Sequence, residues 1–186
     1  MSREHAGRAL RRAGPGAPDS SPGPWDSPGF LLWRATLRWQ RATTAALRPL
    51  GLTHVQFVLL AAVWWLSDHP ETPSQPPSQR QVADHAGADV MMTSQVLRAL
   101  EKRGLVIRTP DGTDTRIKRL TVTPAGRQLA PQAVTVVEAA DAEFFDGVRD
   151  PTQVVGLLRE LAGDRHLVLM TGEPLSEPAL TRSGPR

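Results

Sequence analysis

The sequence predicts a mainly helical fold carrying one small β-element, and three observations predict it. The stretch from Asp89 to Gly104 reads as a helix with both ends written in. Two stretches rich in β-branched residues follow it, 105–109 (LVIRT) and 117–123 (IKRLTVT), with a basic-tipped loop between them. On either side, residues 28–50 and 123–163 repeat apolar residues at helical spacing.

In chain order, residues 1–26 are rich in Gly, Pro, Ser, Arg and Ala. Such a segment has too little apolar surface to offset its ordering entropy, so a disordered arm is expected. A first helix is expected over 28–50, where Phe30, Trp33, Leu37, Thr44 and Leu47 recur at helical spacing. The second helix starts at Thr53, because Thr53-x-x-Gln56 is a capping box. Val55, Val58, Leu59, Ala62, Val63 and Leu66 form one apolar stripe on it, and Phe57, Leu60 and Trp64 another, so it is central and buried. Residues 69–78 (HPETPSQPPS) contain four prolines and are expected to be a loose loop. Ser78-x-x-Gln81 is a second capping box and opens a short helix to about Ala86, with Val82, Ala83 and Ala86 inward.

Gly87-Ala88 then turns the chain into the helix from Asp89. The Asp89 carboxylate can accept the unpaired N–H groups of the first turn, and Gly104 can take the left-handed conformation that ends it. Thr93, Val96, Leu97 and Leu100 fall on one face; Met91, Ser94, Gln95 and Arg98 fall on the other. Alone, that polar face describes an ordinary surface helix. Short helix, glycine turn, second helix and β-hairpin together describe a winged helix-turn-helix. After the wing, Thr123-Pro124 caps a long helix to about Val148, with Leu129, Ala133, Val136, Ala140 and Phe144 in register. Asp150-Pro-Thr-Gln153 caps a last helix with Val154, Leu158 and Leu161 on one side. Residues 167–170 are a short apolar run, and the tail 171–186 is expected to be disordered.

The formal net charge is +3, unevenly spread. Residues 98–127 hold eight Lys/Arg against three Asp/Glu, whereas 128–163 hold two against six. A basic block followed by an acidic one suits a molecule that touches nucleic acid with one part only, although a solvated basic surface has the same signature. There are no cysteines, which excludes disulfides and thiolate chemistry. No apolar run is long enough to span a membrane and no secretory signal is readable, so the cytoplasm is expected. No nucleophile elbow, phosphate-cradling Gly motif or H-E-x-x-H occurs. His5, His54, His69, His85 and His166 lack ligand spacing. Neither an enzyme, nor a metal site, nor a cofactor is expected.

The run Leu100-Glu-Lys-Arg-Gly-Leu-Val106, the wing Asp111-x-x-Asp114-x-Arg116 and the exit Leu120-x-Val-Thr-Pro-Ala-Gly126 resemble the MarR family of bacterial transcription regulators in order and spacing. The resemblance covers about residues 28–163. It implies a homodimer built by helices 28–50 and 123–163 around a DNA-binding part at 52–127, on double-stranded DNA of pseudo-palindromic sequence. Met91, Ser94, Gln95 and Arg98 would face the major groove. Arg116 would reach the minor groove, oriented by a charge-assisted bond from Asp114, with Lys118 and Arg119 following. The resemblance also implies a small aromatic effector, for which Trp33, His54, Phe57 and Trp64 are the candidate lining. The rival reading is a winged helix used only for protein–protein contact, which an acidic or apolar face on the second helix would favour.

Overall fold

The computed structural model describes residues 23–68 and 75–163. The expected arm and tail fall largely outside them, as do residues 69–74 and 167–170. The chain divides into two compact units, residues 1–41 and 42–186.

In the first unit, residues 24–26, expected in the disordered arm, form a 3-10 turn closed by Asp26 N–H to Gly23 C=O. Ser27 then caps α1 (Pro28–Leu47), its hydroxyl accepting the Phe30 N–H at 3.2 Å. Phe30 lies edge-on to Trp25 at 5.2 Å and against Trp33 at 5.8 Å, with the Arg34 guanidinium over its ring. Leu31, Leu32 and Trp33 remain exposed.

In the second unit α1 ends at Leu47 rather than Leu50. Pro49 has no N–H to continue the helix, so Arg48–Leu50 tightens into a 3-10 turn that Gly51 closes. The elements α2 (His54–Asp68), α3 (Gln79–His85), α4 (Val90–Lys102), β1 (Val106–Pro110), β2 (Lys118–Val122), α5 (Pro124–Phe145) and α6 (Pro151–Ala162) follow. Both capping boxes form: Thr53 and Gln56 exchange bonds, as do Ser78 and Gln81. β1 and β2 pair antiparallel from Val106↔Val122 to Pro110↔Lys118. Leu47, Leu59, Leu60, Val63, Val82, Leu97, Leu100, Val106 and Leu120 make the fully buried centre; α2 sends Leu59, Leu60 and Val63 into it and packs the half-buried Val55, Phe57, Trp64 and Leu66 against it.

Two expectations need correction. The Pro-rich stretch is no loose loop at its end: Pro77 is buried, its carbonyl accepts the Leu120 N–H at 2.9 Å, and Ser78 bridges Arg119. The outer edge of β2 needs acceptors, and a proline carbonyl supplies one without needing a donor of its own. On α5 the buried stripe is Gly126, Ala130, Ala133 and Val137, with Leu129 and Val136 only half-buried, and the helix stops at Phe145. Small residues face inward because α5 packs along α2 and its first turn meets the turn between α4 and β1. A Cβ on Gly126 would stand 2.1 Å from the Leu105 carbonyl oxygen. α6 buries none of its residues and presents Val155, Leu157, Leu158 and Leu161 to solvent.

Gly126→Ala therefore pushes α5 off Leu105 and is expected to cost about 1–3 kcal/mol in urea unfolding. Gly156→Ala, in α6 where an added Cβ meets nothing within 4 Å, is expected instead to gain about 0.5–1 kcal/mol.

Candidate nucleic-acid interface and ligand groove

α4 is fixed at both ends. Asp89 Oδ1 accepts the N–H groups of Met91 and Met92, each at 2.9 Å. At the other end Gly104, at φ 70°, lets Leu105 N–H reach Leu100 C=O and Gly104 N–H reach Glu101 C=O. This is a Schellman motif, with Leu105 and Leu100 both buried as its apolar contact. Arg103 adds a tie that the sequence reading missed. Its guanidinium donates to Gly51 C=O at 2.8 Å and to Gln56 Oε1 at 3.2 Å, joining the end of α4 to the capping box of α2.

Thr93, Leu97 and Leu100 are buried, so the opposite face must look outward. Met91 is 74% exposed, Gln95 and Arg98 are exposed, and Ser94 is half-buried. At 100° per residue these four share one arc with Lys102, which the sequence reading did not single out.

The wing is ordered from inside by Asp111. One carboxylate oxygen accepts Thr113 N–H at 2.8 Å, Thr113 Oγ1–H at 2.6 Å and Asp114 N–H at 3.1 Å. The other accepts Arg119 Nε–H at 2.6 Å. Those bonds, from Thr113 first, hold the Asp111 carboxyl well below the usual carboxylate range. Arg119 also donates to Pro76 C=O at 3.2 Å, so the wing base is tied to the strand-like entry into α3. The expected Asp114–Arg116 pairing takes another form. Asp114 accepts the backbone N–H of Arg116 at 3.0 Å, not its guanidinium, because a side chain two residues back meets the peptide of a tight turn first. Among the described residues no carboxylate pairs with Arg98 or Arg116. Lys118 Nζ donates to Thr115 C=O at 3.2 Å. Arg116, Ile117 and Lys118 line a cleft of about 320 Å³ with Ser78, Gln79 and Arg80 at the start of α3 and Val90 at the start of α4.

A second, apolar groove of about 460 Å³ lies away from the wing, lined by Phe57, Val58, Ala61, Ala62, Trp64 and Trp65 of α2, His85 and Ala86, and Val134 of α5. Of the candidate lining residues it takes in Phe57 and Trp64. His54 stacks on Phe57 at 6.4 Å, its pKa lowered by burial and partly restored by Asp141. Trp33 belongs to the first unit. His85 was missed; a spacing rule that seeks one continuous stripe passes over a residue contributed by another helix.

Residues 52–118 match the MarR family model. The HTH-type transcriptional regulator YdcH of Bacillus subtilis is 39% identical over 139 residues, which are 75% of this chain and 92% of that protein. This chain belongs to the MarR family. A MarR-family transcriptional regulator from Rhodococcus sp. RHA1 superposes with a TM-score of 0.65 at 31% identity, covering 76% of this chain and 96% of that one. Rv2887, a MarR-family protein of Mycobacterium tuberculosis solved in complex with DNA, gives 0.55 at 32% identity over 73% and 97%. The same protein in complex with salicylic acid gives 0.54 at 34% identity over 73% and 96%.

In this MarR-family wing, Asp111→Ala is expected to release the Thr113 and Asp114 amides, which Asp111→Asn would still hold through its amide oxygen. Their hydrogen exchange should quicken about tenfold or more. Because the folded carboxyl titrates below its unfolded value of about 3.9, its stabilisation is whole above that pH and is lost as the pH falls through the folded value. The gap in stability between wild type and Asp111→Ala should thus be flat from neutrality to about pH 5 and close below about pH 4.

Proposed function

We propose that this regulator is a sequence-specific homodimer on a pseudo-palindromic operator, with α4 in the major groove and the wing in the adjacent minor groove. The observation that carries the reading is the outward face of α4. It bears a thioether, a hydroxyl, an amide and an unpaired guanidinium on a helix locked at both ends, beside an arginine with no carboxylate partner. Gln95 offers the donor–acceptor pair that matches adenine, Arg98 and Ser94 reach base edges or phosphates, and Met91 meets thymine methyl groups. Arg116 gains from the negative potential of the minor groove, Lys118 meets phosphate, and Asp114 sets the backbone of Arg116.

Residues 28–50 and 123–163 form the dimer, because the apolar side chains left exposed on α1 and α6 need a partner surface. The two-fold axis imposes its symmetry on the operator. Rv2887 in complex with salicylic acid supports an aromatic effector, and the groove beside Phe57 and Trp64 is its place here. Such a ligand releases DNA only by binding the non-binding conformation more tightly. A regulator of this kind works in the cytoplasm, where the DNA is.

Two substitutions separate the roles. Arg116→Ala is expected to weaken binding to operator and random DNA alike and to flatten the slope of log K against log salt by about one. Gln95→Ala is expected to cost ~1–3 kcal/mol on the operator and to relax the sequence preference of each half-site. Fluorescence anisotropy across a salt series measures both. Unchanged affinity and slope in Arg116→Ala would remove the wing from the interface.

A further inference from the structure

The described part of the molecule gathers its sulfur in one place. The chain has no cysteine and four methionines, and the two among the described residues are consecutive, Met91 and Met92 in the first turn of α4. Both are exposed, Met91 at 74% and Met92 at 37%. A methionine more often fills a gap in a core, where exclusion of solvent keeps its sulfur from two-electron oxidants. Here Thr93, Leu97 and Leu100 supply the buried face of α4, and Met91 shares the outward arc with Gln95 and Arg98. We propose that Met91 is a site of reversible oxidation to the sulfoxide by hypohalous acid, and that the sulfoxide takes α4 off its base contacts. The inference rests on the reading of α4 given under the proposed function and adds a chemical control to it.

The Met91 sulfur gives an electron pair to the chlorine of hypochlorous acid, and hydroxide leaves. Water then adds to the chlorosulfonium sulfur, chloride departs and two protons go to solvent. The balance is one S=O bond formed, the acid reduced to chloride and one proton released. No cysteine in this chain competes for the oxidant. The turn keeps its backbone through the change, because the N–H groups of Met91 and Met92 are held by Asp89 Oδ1 and that of Thr93 by Asp89 C=O. For the same reason the new oxygen finds none of these donors free and takes its hydrogen bonds from water. In the free protein the modification is therefore nearly silent. Against a base edge it is not. A thioether that meets a thymine methyl group has become a polar acceptor that must shed its water to stay there, which weakens binding. The phosphate contacts proposed for Arg116 and Lys118 do not involve the sulfur, so the loss falls on sequence preference. A bound duplex covers Met91, so the oxidant acts on the free protein and holds it free.

The untreated full-length protein first selects a duplex from a random-sequence library. It is then treated with about two equivalents of hypochlorous acid, quenched with free methionine, and divided between peptide mass spectrometry and fluorescence anisotropy. Met91 is expected to gain one oxygen ahead of Met92, and to be shielded when the selected duplex is present in excess. Affinity for the selected duplex is expected to fall about tenfold while affinity for random duplex stays within about twofold, which also shows that the treated protein is folded. The two methionine sulfoxide reductases, which act on opposite epimers and not on oxidised tryptophan, should restore the lost affinity. Met91→Leu is read as the ratio of its own affinities before and after treatment, expected close to one. Met91 left unoxidised, or oxidised equally with and without the duplex, overturns the site. So does a loss of affinity that the reductases leave in place or that Met91→Leu shares. A sulfoxide at Met91 with unchanged affinity, or an equal loss on random duplex, overturns its effect on base reading while α4 keeps its assigned role. A selection that returns no preferred duplex removes that role and the inference with it.

Discussion

The carboxylate of Asp111 is the constraint on which the wing depends. It is largely shielded from solvent and accepts four hydrogen bonds, three from the turn that follows it and one from Arg119 across the hairpin. A shielded carboxylate left without donors would be costly, and this one is fully supplied, so the loop has one conformation that satisfies it. Through Arg119 the same group reaches Pro76 C=O and so the segment that starts α3. The tip arginine has no carboxylate partner among the described residues, since Arg119 holds Asp111 and Asp114 accepts a backbone N–H instead.

A second constraint is steric. α5 approaches the turn after α4 so closely that Leu105 C=O occupies the place of a side chain at Gly126. Thr123 reinforces that corner, its hydroxyl donating to Gly104 C=O at 2.6 Å while it accepts Gly126 N–H at 3.0 Å. The winged helix and the long helix leaving it are thereby joined by backbone contact, which transmits displacement better than a layer of flexible side chains does.

Most of the fold was legible because its punctuation is local. Thr53, Ser78, Asp89, Thr123 and Asp150 each announce a helix by offering an oxygen to N–H groups within three residues, and such bonds depend little on the rest of the chain. The inward and outward faces of α4 followed from the same arithmetic. What was not legible came from distance. The buried stripe of α5 is made of small residues, and their value lies in what they let approach, which periodicity of large apolar residues does not register. Arg103, Arg119 and His85 take their places from elements tens of residues away. Asp114 shows the converse error: a charge pair drawn from spacing alone lost to a backbone donor already within reach.

The tie from Arg103 to Gly51 and Gln56 has a mechanical consequence. A reading helix can be disengaged by unwinding its last turn, by spinning about its own axis or by being carried bodily with its neighbours. The Schellman closure opposes the first, and spinning would break both guanidinium bonds together. The motion left open is the third, in which α4 and the first turn of α2 travel as one lever. On the function proposed above, the side chains of α4 keep their mutual spacing on and off the operator, so the transition changes where the code is held and leaves the code itself intact.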